Sequence, residues 1–188
     1  MEKKENITSI FQRLAYRDDQ DAFYRLHADF FPRLFRLVYS LTGQREVAEE
    51  LTNDVFIQIW QNRRKLNSIK NPEVYLFVCA KNIAFAYLKS IKLPIVSLDG
   101  LQQFDLQIER TAEDILISSE MVSRINTAIA QLPAQCKLVF LLVKENNLKY
   151  REVAAVLDIS VKTVEAQMNI ALKKLTSSIP FLLPAFSR

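Results

Sequence analysis

Apolar residues in the first part of the chain recur every third or fourth position, which is the spacing of one face of an α-helix. The first such run begins at Phe23, and Pro32 should kink or break the helix that it predicts. Thr42-Gly43 should end this helix, because glycine readily adopts the left-handed conformation found at helix C-termini. The predicted inward-facing residues are Leu26, Phe30, Leu34, Leu37, Val38 and Leu41.

Two more helices are predicted before residue 92. The second runs from about Gln44 to Asn62, and the polar stretch RRKLNSIKN that follows is predicted to be a loop. The third begins at Asn71-Pro72, where an N-cap residue precedes a proline in the first turn, and it extends to about Ile91. The predicted inward-facing residues are Val47, Leu51, Val55 and Ile59 in the second helix, and Leu76, Cys79, Ile83 and Tyr87 in the third.

The apolar period is lost between residues 92 and 113, where a proline and an Asp-Gly pair favour a linker. Helical spacing then returns at Ile117, Met121, Val122, Ile125, Ile129 and Leu132. Another helix is predicted to begin at Pro133 and to end at Asn146-Asn147, with Cys136, Val139, Phe140 and Val143 at helical spacing. We therefore predict an all-α protein in which two small helical domains, 1–91 and 114–188, are joined by a linker at 92–113.

The segment YREVAAVLDISVKTVEAQMNIALKKL has the pattern of a helix-turn-helix. A helix at about 150–157 precedes a short turn at 158–160, in which Asp158 tolerates a left-handed conformation and Ser160 can cap the next helix. Ile159 should pack between the two helices. The predicted buried positions are Val153, Ala154, Leu157, Val161, Val164, Met168, Leu172 and Leu175.

The opposite face of the second helix carries residues that suit duplex DNA. Recognition helices contact bases chiefly through their N-terminal half, where amides can bond adenine edges and lysines can bond guanine or phosphate. The candidate DNA-binding residues are Ser160, Lys162, Thr163, Glu165, Ala166, Gln167, Asn169 and, where backbone contacts are expected, Lys173. The same spacing also fits a structural helical hairpin whose polar face is simply hydrated.

An unusual stripe is predicted on the outward face of the third helix. Phe77, Lys81, Phe85 and Lys89 recur every fourth residue, with Asn82 beside them. Alternating aromatic and cationic side chains suit unpaired nucleic-acid strands, since aromatics stack on bases and lysines follow phosphates. In the alternative, the phenylalanines pack against another helix and the lysines are solvated.

Composition and charge agree with a helical nucleic-acid-binding protein. Hydrophobic residues make up 49% of the 188 residues, which is enough for a core, and the 2 glycines are too few for a sheet protein rich in turns. The net charge is +4, and it is unevenly placed. Residues 1–91 carry 14 basic and 11 acidic groups, residues 92–113 carry 2 and 4, and residues 114–188 carry 9 and 6.

Several function classes find little support in the sequence. The lone histidine, His27, is expected at the surface or in packing, and two glycines cannot form a glycine-rich phosphate loop. Cys79 and Cys136 lie in apolar helical patterns and are expected to be reduced core thiols, which fits the cytoplasm. The MEKKENITSI start lacks an apolar signal stretch, and no apolar run approaches membrane-spanning length. We therefore predict a cytoplasmic protein that is not an enzyme and has no metal, cofactor, small-molecule substrate or membrane insertion.

Taken together, these segments resemble bacterial sigma factors of the sigma-70 superfamily, of the extracytoplasmic-function (ECF) type. The stretch DAFYRLHADFFPRLFRLVYSLTGQREVAEELTNDVFIQIWQNR is similar to the polymerase-binding part of region two. The stretch YLFVCAKNIAFAYLK is similar to the helix that reads and melts the minus-ten element. LPAQCKLVFLLVKENNLKYREVAAVLDISVKTVEAQMNIALKKL is similar to region four, which reads the minus-thirty-five element.

The resemblance implies partners and residue roles. The partners are core RNA polymerase and promoter DNA, with an anti-sigma factor as a further candidate. Asn53, Asp54, Ile57 and Gln58 match the family's face for the polymerase largest subunit, and Asn82 matches the asparagine that helps to hold a flipped minus-ten base. The loop from Leu66 to Asn71 matches the loop that shapes that base pocket, and 162–167 match the minus-thirty-five reading positions.

Some positions depart from the family pattern. Glutamine is usual where Asn53 stands, and aspartate is common at Ala86. Arginine or lysine is common at Ile170, glycine is usual at Asp158, and a polar residue is common at Ala166. The alternative function is a stand-alone helix-turn-helix transcriptional regulator, which would bind its operator without polymerase.

Overall fold

The computed structural model describes residues 6–91, 127–129 and 131–178, which form helices and connecting turns without a strand. The chain divides into two compact units, an N-terminal one that contains residues 1–93 and a C-terminal one that contains most residues after 93, and each is described by itself. The predicted linker at 92–113, and the periodic positions from Ile117 to Ile125, lie outside the described residues.

The N-terminal unit contains α-helices and one short 3₁₀ helix. Its elements are α1 (Ile7–Arg17), α2 (Gln20–Thr42), α3 (Arg45–Gln61), the 3₁₀ helix (Arg63–Ser68) and α4 (Pro72–Ser90). The predicted second and third helices are confirmed to within a residue or two at each end. The polar stretch predicted as a loop instead forms the 3₁₀ helix.

Helix α1 was not predicted, although its residues carry the signals of a helix. The Asn6 side chain caps it by accepting a hydrogen bond from the Thr8 N–H at 3.0 Å. Ile10, Phe11 and Leu14, at helical spacing, are all buried. Three apolar residues beside a charged N-terminus make a short signal, which the longer runs that follow obscure.

Cap residues fix where the other helices begin and end. The Asp19 carboxylate accepts a hydrogen bond from the Ala22 N–H at 3.0 Å and so caps α2. Gly43 ends α2 with φ 69°, and its N–H donates to the Tyr39 carbonyl at 2.8 Å, as the sequence predicted. The Asn71 side chain caps α4, accepting from the Val74 N–H at 3.3 Å.

Helix α2 runs through Pro32, so of the predicted kink or break the break is wrong. A proline removes one backbone N–H and crowds the preceding turn. Pro32 is exposed, whereas Phe30, Leu34 and Phe35 on either side of it are buried. Burial of these flanking side chains stabilises the helix on both sides of the missing hydrogen bond.

The core of the N-terminal unit lies where α2 packs against α3 and α4. The predicted inward residues of α2 are all buried, as are Leu51, Val55 and Ile59 of α3. The predicted face of α4 is only partly right. Ile83 and Tyr87 are half-buried, and the α4 side chains that enter the core are Leu76, Phe77, Cys79, Ala80, Ala84 and Leu88.

The C-terminal unit is confirmed as helical with a helix-turn-helix. Its elements are α5 (Ala134–Phe140), which continues as a π-helical turn (Leu141–Glu145), α6 (Tyr150–Leu157) and α7 (Val161–Ser178). Asn146 ends the π turn, and Asn147 takes a left-handed φ of 55°, so the predicted break at this pair is confirmed.

Helix α5 packs against α7, and the contact face of α7 is close to the predicted one. Val164, Met168 and Leu175 are buried as predicted. Val161 and Leu172 are only half-buried, and Ala171 is fully buried in their place. A small side chain at 171 suits a helix contact, because it allows close approach of the two backbones.

Candidate functional site

The turn of the helix-turn-helix has the geometry that its sequence predicts. Asp158 adopts φ 57°, and the Ile159 N–H donates to the Ala154 carbonyl at 3.1 Å, which closes the end of α6. Ser160 caps α7, since its hydroxyl oxygen accepts from the Thr163 N–H at 3.0 Å. The turn is therefore defined on both sides by hydrogen bonds, and it fixes where the polar face of α7 begins.

The outer face of α7 presents a compact set of side chains to solvent. The exposed members of the predicted DNA-binding set are Ser160, Lys162, Glu165, Ala166, Asn169 and Lys173. From Lys162 onward they are linked by three- and four-residue spacings along the helix, so these five form one continuous surface. Two cations, an amide and a carboxylate on one exposed helix face can bond both base edges and phosphates in a major groove.

Two predicted DNA-binding residues are half-buried and hydrogen-bond to other residues of their own unit. Gln167 is half-buried, and its side-chain oxygen lies 2.8 Å from the Cys136 thiol of α5. Burial raises the pKa of that thiol, so the sulfur keeps its proton and donates a hydrogen bond to the Gln167 side-chain oxygen. Thr163 is half-buried too, and its hydroxyl lies 2.8 Å from the Ser160 hydroxyl. Both side chains are thus less open to solvent than the residues around them, and their contact with DNA stays a prediction.

Phe77 does not belong to an exposed stripe on α4, and this prediction is wrong. Its side chain is 0% exposed. The Arg33 guanidinium of α2 lies 5.3 Å from the Phe77 ring centroid and 5.0 Å from that of Phe30, and it also pairs with Glu73. Phe77 thus joins α2 to α4 from within the core, which excludes it from stacking on a base.

The remaining members of the stripe stay accessible. Asn82 and Lys89 are exposed, and Lys81 and Phe85 are half-buried. Asn82 and Phe85 lie three residues apart, and Phe85 and Lys89 four apart, so these three share one side of α4. This side offers a hydrogen-bonding amide, part of an aromatic ring and a cation within about two turns of helix.

The segment before α4 is held by the rest of the N-terminal unit. Leu66, at the start of the loop predicted to shape the base pocket, is 2% exposed, so its side chain belongs to the core. The Asn67 amide donates to the Tyr16 hydroxyl of α1 at 3.1 Å, and Arg63 pairs with Asp18. Asn71 is exposed while its side chain caps α4. The loop is therefore anchored by α1, an element that sequence reasoning missed.

The polar face predicted on α3 is open to solvent. Asn53, Asp54, Ile57 and Gln58 are all exposed, and Ile57 keeps 52% of its surface accessible. They lie opposite the buried residues Leu51, Val55 and Ile59, as the spacing predicts. A large exposed aliphatic residue among polar neighbours is typical of a protein-binding surface.

A groove beside this face was not predicted. It has a volume of about 370 Å³ and is lined by Gln20, Phe23, Tyr24, Ile57, Trp60 and Gln61. The Phe23 and Trp60 ring centroids are 5.1 Å apart, and Tyr24 is 66% exposed. The adjacent aromatics at the start of α2 and the tryptophan at the end of α3 were the available signal, but their proximity depends on how the two helices pair.

The described residues offer no arrangement for metal or histidine chemistry. No group of three or more His, Cys, Asp or Glu side chains among them could hold a metal ion. The His27 ring stacks on Phe31 with centroids 4.9 Å apart and contacts Phe56 at 4.6 Å, which is the packing role expected for it. No described helix is long and apolar enough to cross a membrane.

Comparison with protein families finds two matches that follow the order of the two units. Residues 26–92 match Sigma-70 region 2, and residues 122–175 match Sigma-70, region 4. Together the two matches cover more than half of the chain. The first includes α3 and α4, and the second includes the helix-turn-helix.

Curated relatives and solved structures agree with this match. The chain is 22% identical to the ECF RNA polymerase sigma factor SigW of Bacillus subtilis (strain 168) over 161 residues, covering 81% of the chain and 86% of that protein. It is 23% identical to the ECF RNA polymerase sigma factor SigE of Mycolicibacterium smegmatis over 152 residues, covering 79% of the chain and 57% of that protein.

Two solved structures share the fold. CnrH in complex with the cytosolic domain of CnrY matches with a TM-score of 0.58 and 23% identity, over 96% of this chain and 98% of that one. The sigma factor RpoE from Bartonella quintana, in complex with the anti-sigma factor NepR, matches with a TM-score of 0.64 and 18% identity, over 85% and 97%. With both sigma regions matched in order, the chain belongs to the sigma-70 superfamily as an ECF RNA polymerase sigma factor.

Proposed function

We propose that this protein binds core RNA polymerase through its N-terminal unit, reads promoter DNA through both units and helps to open the duplex. The observation that carries the proposal is the order of the region 2 and region 4 matches within one chain. Each matched region also leaves a chemically suitable face exposed. Sigma factors are initiation factors, so the chain acts by binding and positioning rather than as a catalyst.

The polymerase-binding face is the exposed side of α3, formed by Asn53, Asp54, Ile57 and Gln58. The aromatic groove continues this face through Ile57, which contributes to both surfaces. Aromatic side chains and exposed aliphatics carry much of the energy of protein interfaces. We therefore extend the proposed face to Phe23, Tyr24 and Trp60, which sequence reasoning did not assign.

Promoter opening is assigned to the accessible side of α4. Unstacking and extruding a base costs a few kcal/mol, which a protein pocket must offset. Phe85 offers stacking surface, Asn82 a hydrogen bond to a base edge, and Lys81 and Lys89 charge for the strand backbone. Asn71 lies at the start of the same helix, beside the loop that α1 holds in place.

Recognition of the minus-thirty-five element is assigned to the outer face of α7. Lys162, Glu165, Ala166 and Asn169 are exposed near the start and middle of the helix, where recognition helices contact bases. Lys173 lies further along and is suited to a phosphate. Gln167 and Thr163 support this face from its edge through their contacts with Cys136 and Ser160.

An anti-sigma factor is a candidate regulator of this chain. The two solved structures with the same fold are complexes, one with the cytosolic domain of CnrY and one with the anti-sigma factor NepR. A regulator of that kind would block polymerase binding if it covered the exposed side of α3 and the adjoining groove.

We expect the protein to act in the cytoplasm, because core polymerase and promoter DNA are found there.

Transcription with purified components tests the proposal. Core polymerase plus this chain should give run-off transcripts from a defined set of promoters in genomic DNA of the source organism, and neither component alone should do so. Ile57→Ala should weaken binding to core polymerase several-fold, because it removes an exposed aliphatic anchor without touching the fold. Ile91→Ala is the matched control, since Ile91 is 42% exposed and lies outside the assigned faces.

Footprinting separates a sigma factor from a stand-alone regulator. A sigma factor should protect promoter DNA only when core polymerase is present. Specific protection by the chain alone, with no transcription from added core polymerase, would reject the proposal in favour of the regulator.

A further inference from the structure

Helix α7 carries an apolar pair on its outer, solvent-facing side. Ala166 and Ile170 are one turn apart and both exposed, and Ile170 keeps 41% of its surface accessible. The pair does not belong to the buried core of the unit. The inner side of the same helix is already filled by Val164, Met168 and Ala171, which are each 1% exposed or less.

The neighbours of this pair are the polar groups assigned to DNA. Lys162 lies one turn before Ala166, Asn169 lies beside Ile170, and Lys173 follows three residues later, all exposed. An isolated exposed isoleucine is common on protein surfaces. Ile170, however, lies between two lysines on the proposed recognition face and next to an exposed alanine. Base edges would lie at this position.

Gln167 is not a fully free reader at this level of the helix, because it is half-buried. Its side-chain oxygen accepts a hydrogen bond from the Cys136 thiol, so part of its bonding capacity is used within the unit. The bidentate pairing of a glutamine with adenine needs both the amide oxygen and the amide nitrogen. Of the exposed side chains at this level, Ala166 and Ile170 are apolar, and Glu165 and Asn169 are polar.

We propose that Ala166 and Ile170 read the 5-methyl group of a thymine in the minus-thirty-five element. The major groove displays one apolar group among its base edges, the thymine methyl, and alanine and other apolar side chains contact it. Lys162 and Lys173 hold the helix to the phosphates on either side. This inference rests on the proposed function and deepens it, because it names the chemistry of one base-pair position.

A methyl contact can be tested with a change of the DNA alone. The holoenzyme, core polymerase plus this chain, first selects its minus-thirty-five element from a library randomised over that region. Each thymine of the selected element is then replaced by uracil, which lacks only the methyl group. At one or two neighbouring thymines, uracil should weaken holoenzyme binding about fourfold, the value of one buried methyl-sized group.

Variants assign the effect to the pair. Ile170→Ala should weaken binding to the thymine duplex and should bind thymine and uracil duplexes nearly alike, whereas Ile170→Val should keep most of the difference. Ile91→Ala is the control, because Ile91 is about as exposed as Ile170, and this variant should keep the full difference between thymine and uracil duplexes. Circular dichroism confirms that each variant is folded, as expected for changes at exposed positions.

The outcomes distinguish this inference from the proposed function. If the holoenzyme selects an element in which no thymine is sensitive to uracil, the inference is wrong while the function of the unit stands. The inference is also wrong, and the function of the unit stands, if Ile170→Ala discriminates thymine from uracil as well as the wild type does. If the library yields no enriched element upstream of the minus-ten region, the assignment of α7 to promoter reading fails as well.

Discussion

Phe77 and Phe85 lie on the same helix, eight residues apart, and have different environments. Phe77 is fully buried under the Arg33 guanidinium, and Phe85 is only half-buried. Helix α4 is apolar around most of its circumference, since Val74, Val78 and Ala86 also lie outside its buried face. The spacing of apolar residues therefore could not show which side of α4 faces the core, and Phe77 was wrongly assigned to the exposed stripe.

Substitutions at these two phenylalanines should affect different properties. Phe77→Ala should lower the free energy of unfolding by about 3–5 kcal/mol, the usual cost of emptying a fully buried phenylalanine site. Phe85→Ala should cost clearly less, because part of its ring is already in water. Urea denaturation followed by circular dichroism measures both values.

Promoter opening, in contrast to stability, should depend on Phe85, whose ring is partly accessible. Phe85→Ala, in the folded holoenzyme, should reduce permanganate reactivity of promoter thymines on linear DNA, and a premelted bubble template should restore most of it. Equal unfolding costs for the two variants, with normal opening by Phe85→Ala, would show that Phe85 is a core residue as well.

The elements themselves were predicted well where a long apolar period coincides with cap residues. Asn71, Gly43 and Ser160 each mark a helix end at the predicted place. Helix α1 was missed because its apolar signal is short. The 3₁₀ helix was missed because its sequence is polar and its order depends on residues far away along the chain. Tyr16 of α1 lies 51 residues before Asn67, and Asp18, which follows α1, lies 45 residues before Arg63.

The sites were less predictable than the helices. Exposure of Asn53, Asp54 and Asn82 followed from helical spacing alone. The position of Gln167 did not, because it depends on a hydrogen bond to Cys136 on another helix, 31 residues earlier. Long-range contacts of this kind leave no mark in local periodicity.

The start of α2 should make the stability of the N-terminal unit depend on pH. The Ala22 N–H, followed by the Arg13 side chain at 2.9 Å, holds the pKa of the Asp19 carboxyl below its ordinary value of 3.8. The folded state therefore binds this proton less readily than the unfolded chain. The stabilisation is present above pH 4 or so and is lost as the pH falls through the folded pKa.

Asp19→Asn isolates this effect, because asparagine keeps the cap hydrogen bond but carries no charge. The variant should lose less stability than the wild type between about pH 5 and pH 2. Urea midpoints at a series of pH values measure the difference. In an Arg13→Gln background the same substitution should change the pH profile less, and an unchanged wild-type profile in Asp19→Asn would contradict the assignment.

At the scale of the whole molecule, each unit has its own buried core. The N-terminal core centres on Leu34, Leu76 and Phe77, and the C-terminal core includes Val139 and Met168. The two family matches follow the same order, Sigma-70 region 2 over residues 26–92 and Sigma-70, region 4 over residues 122–175.

Separate cores predict that damage in one unit stays there. Phe77→Ala should speed amide hydrogen exchange in α1 to α4 and leave α7 unchanged, and Met168→Ala should do the reverse. If the units unfold independently, the two unfolding costs should add within about 0.5 kcal/mol in the double variant. Hydrogen exchange read by mass spectrometry gives both results in one experiment. Faster exchange in both units of either single variant would mean that the chain unfolds as one cooperative body, and the two-domain organisation inferred from the sequence would then be wrong.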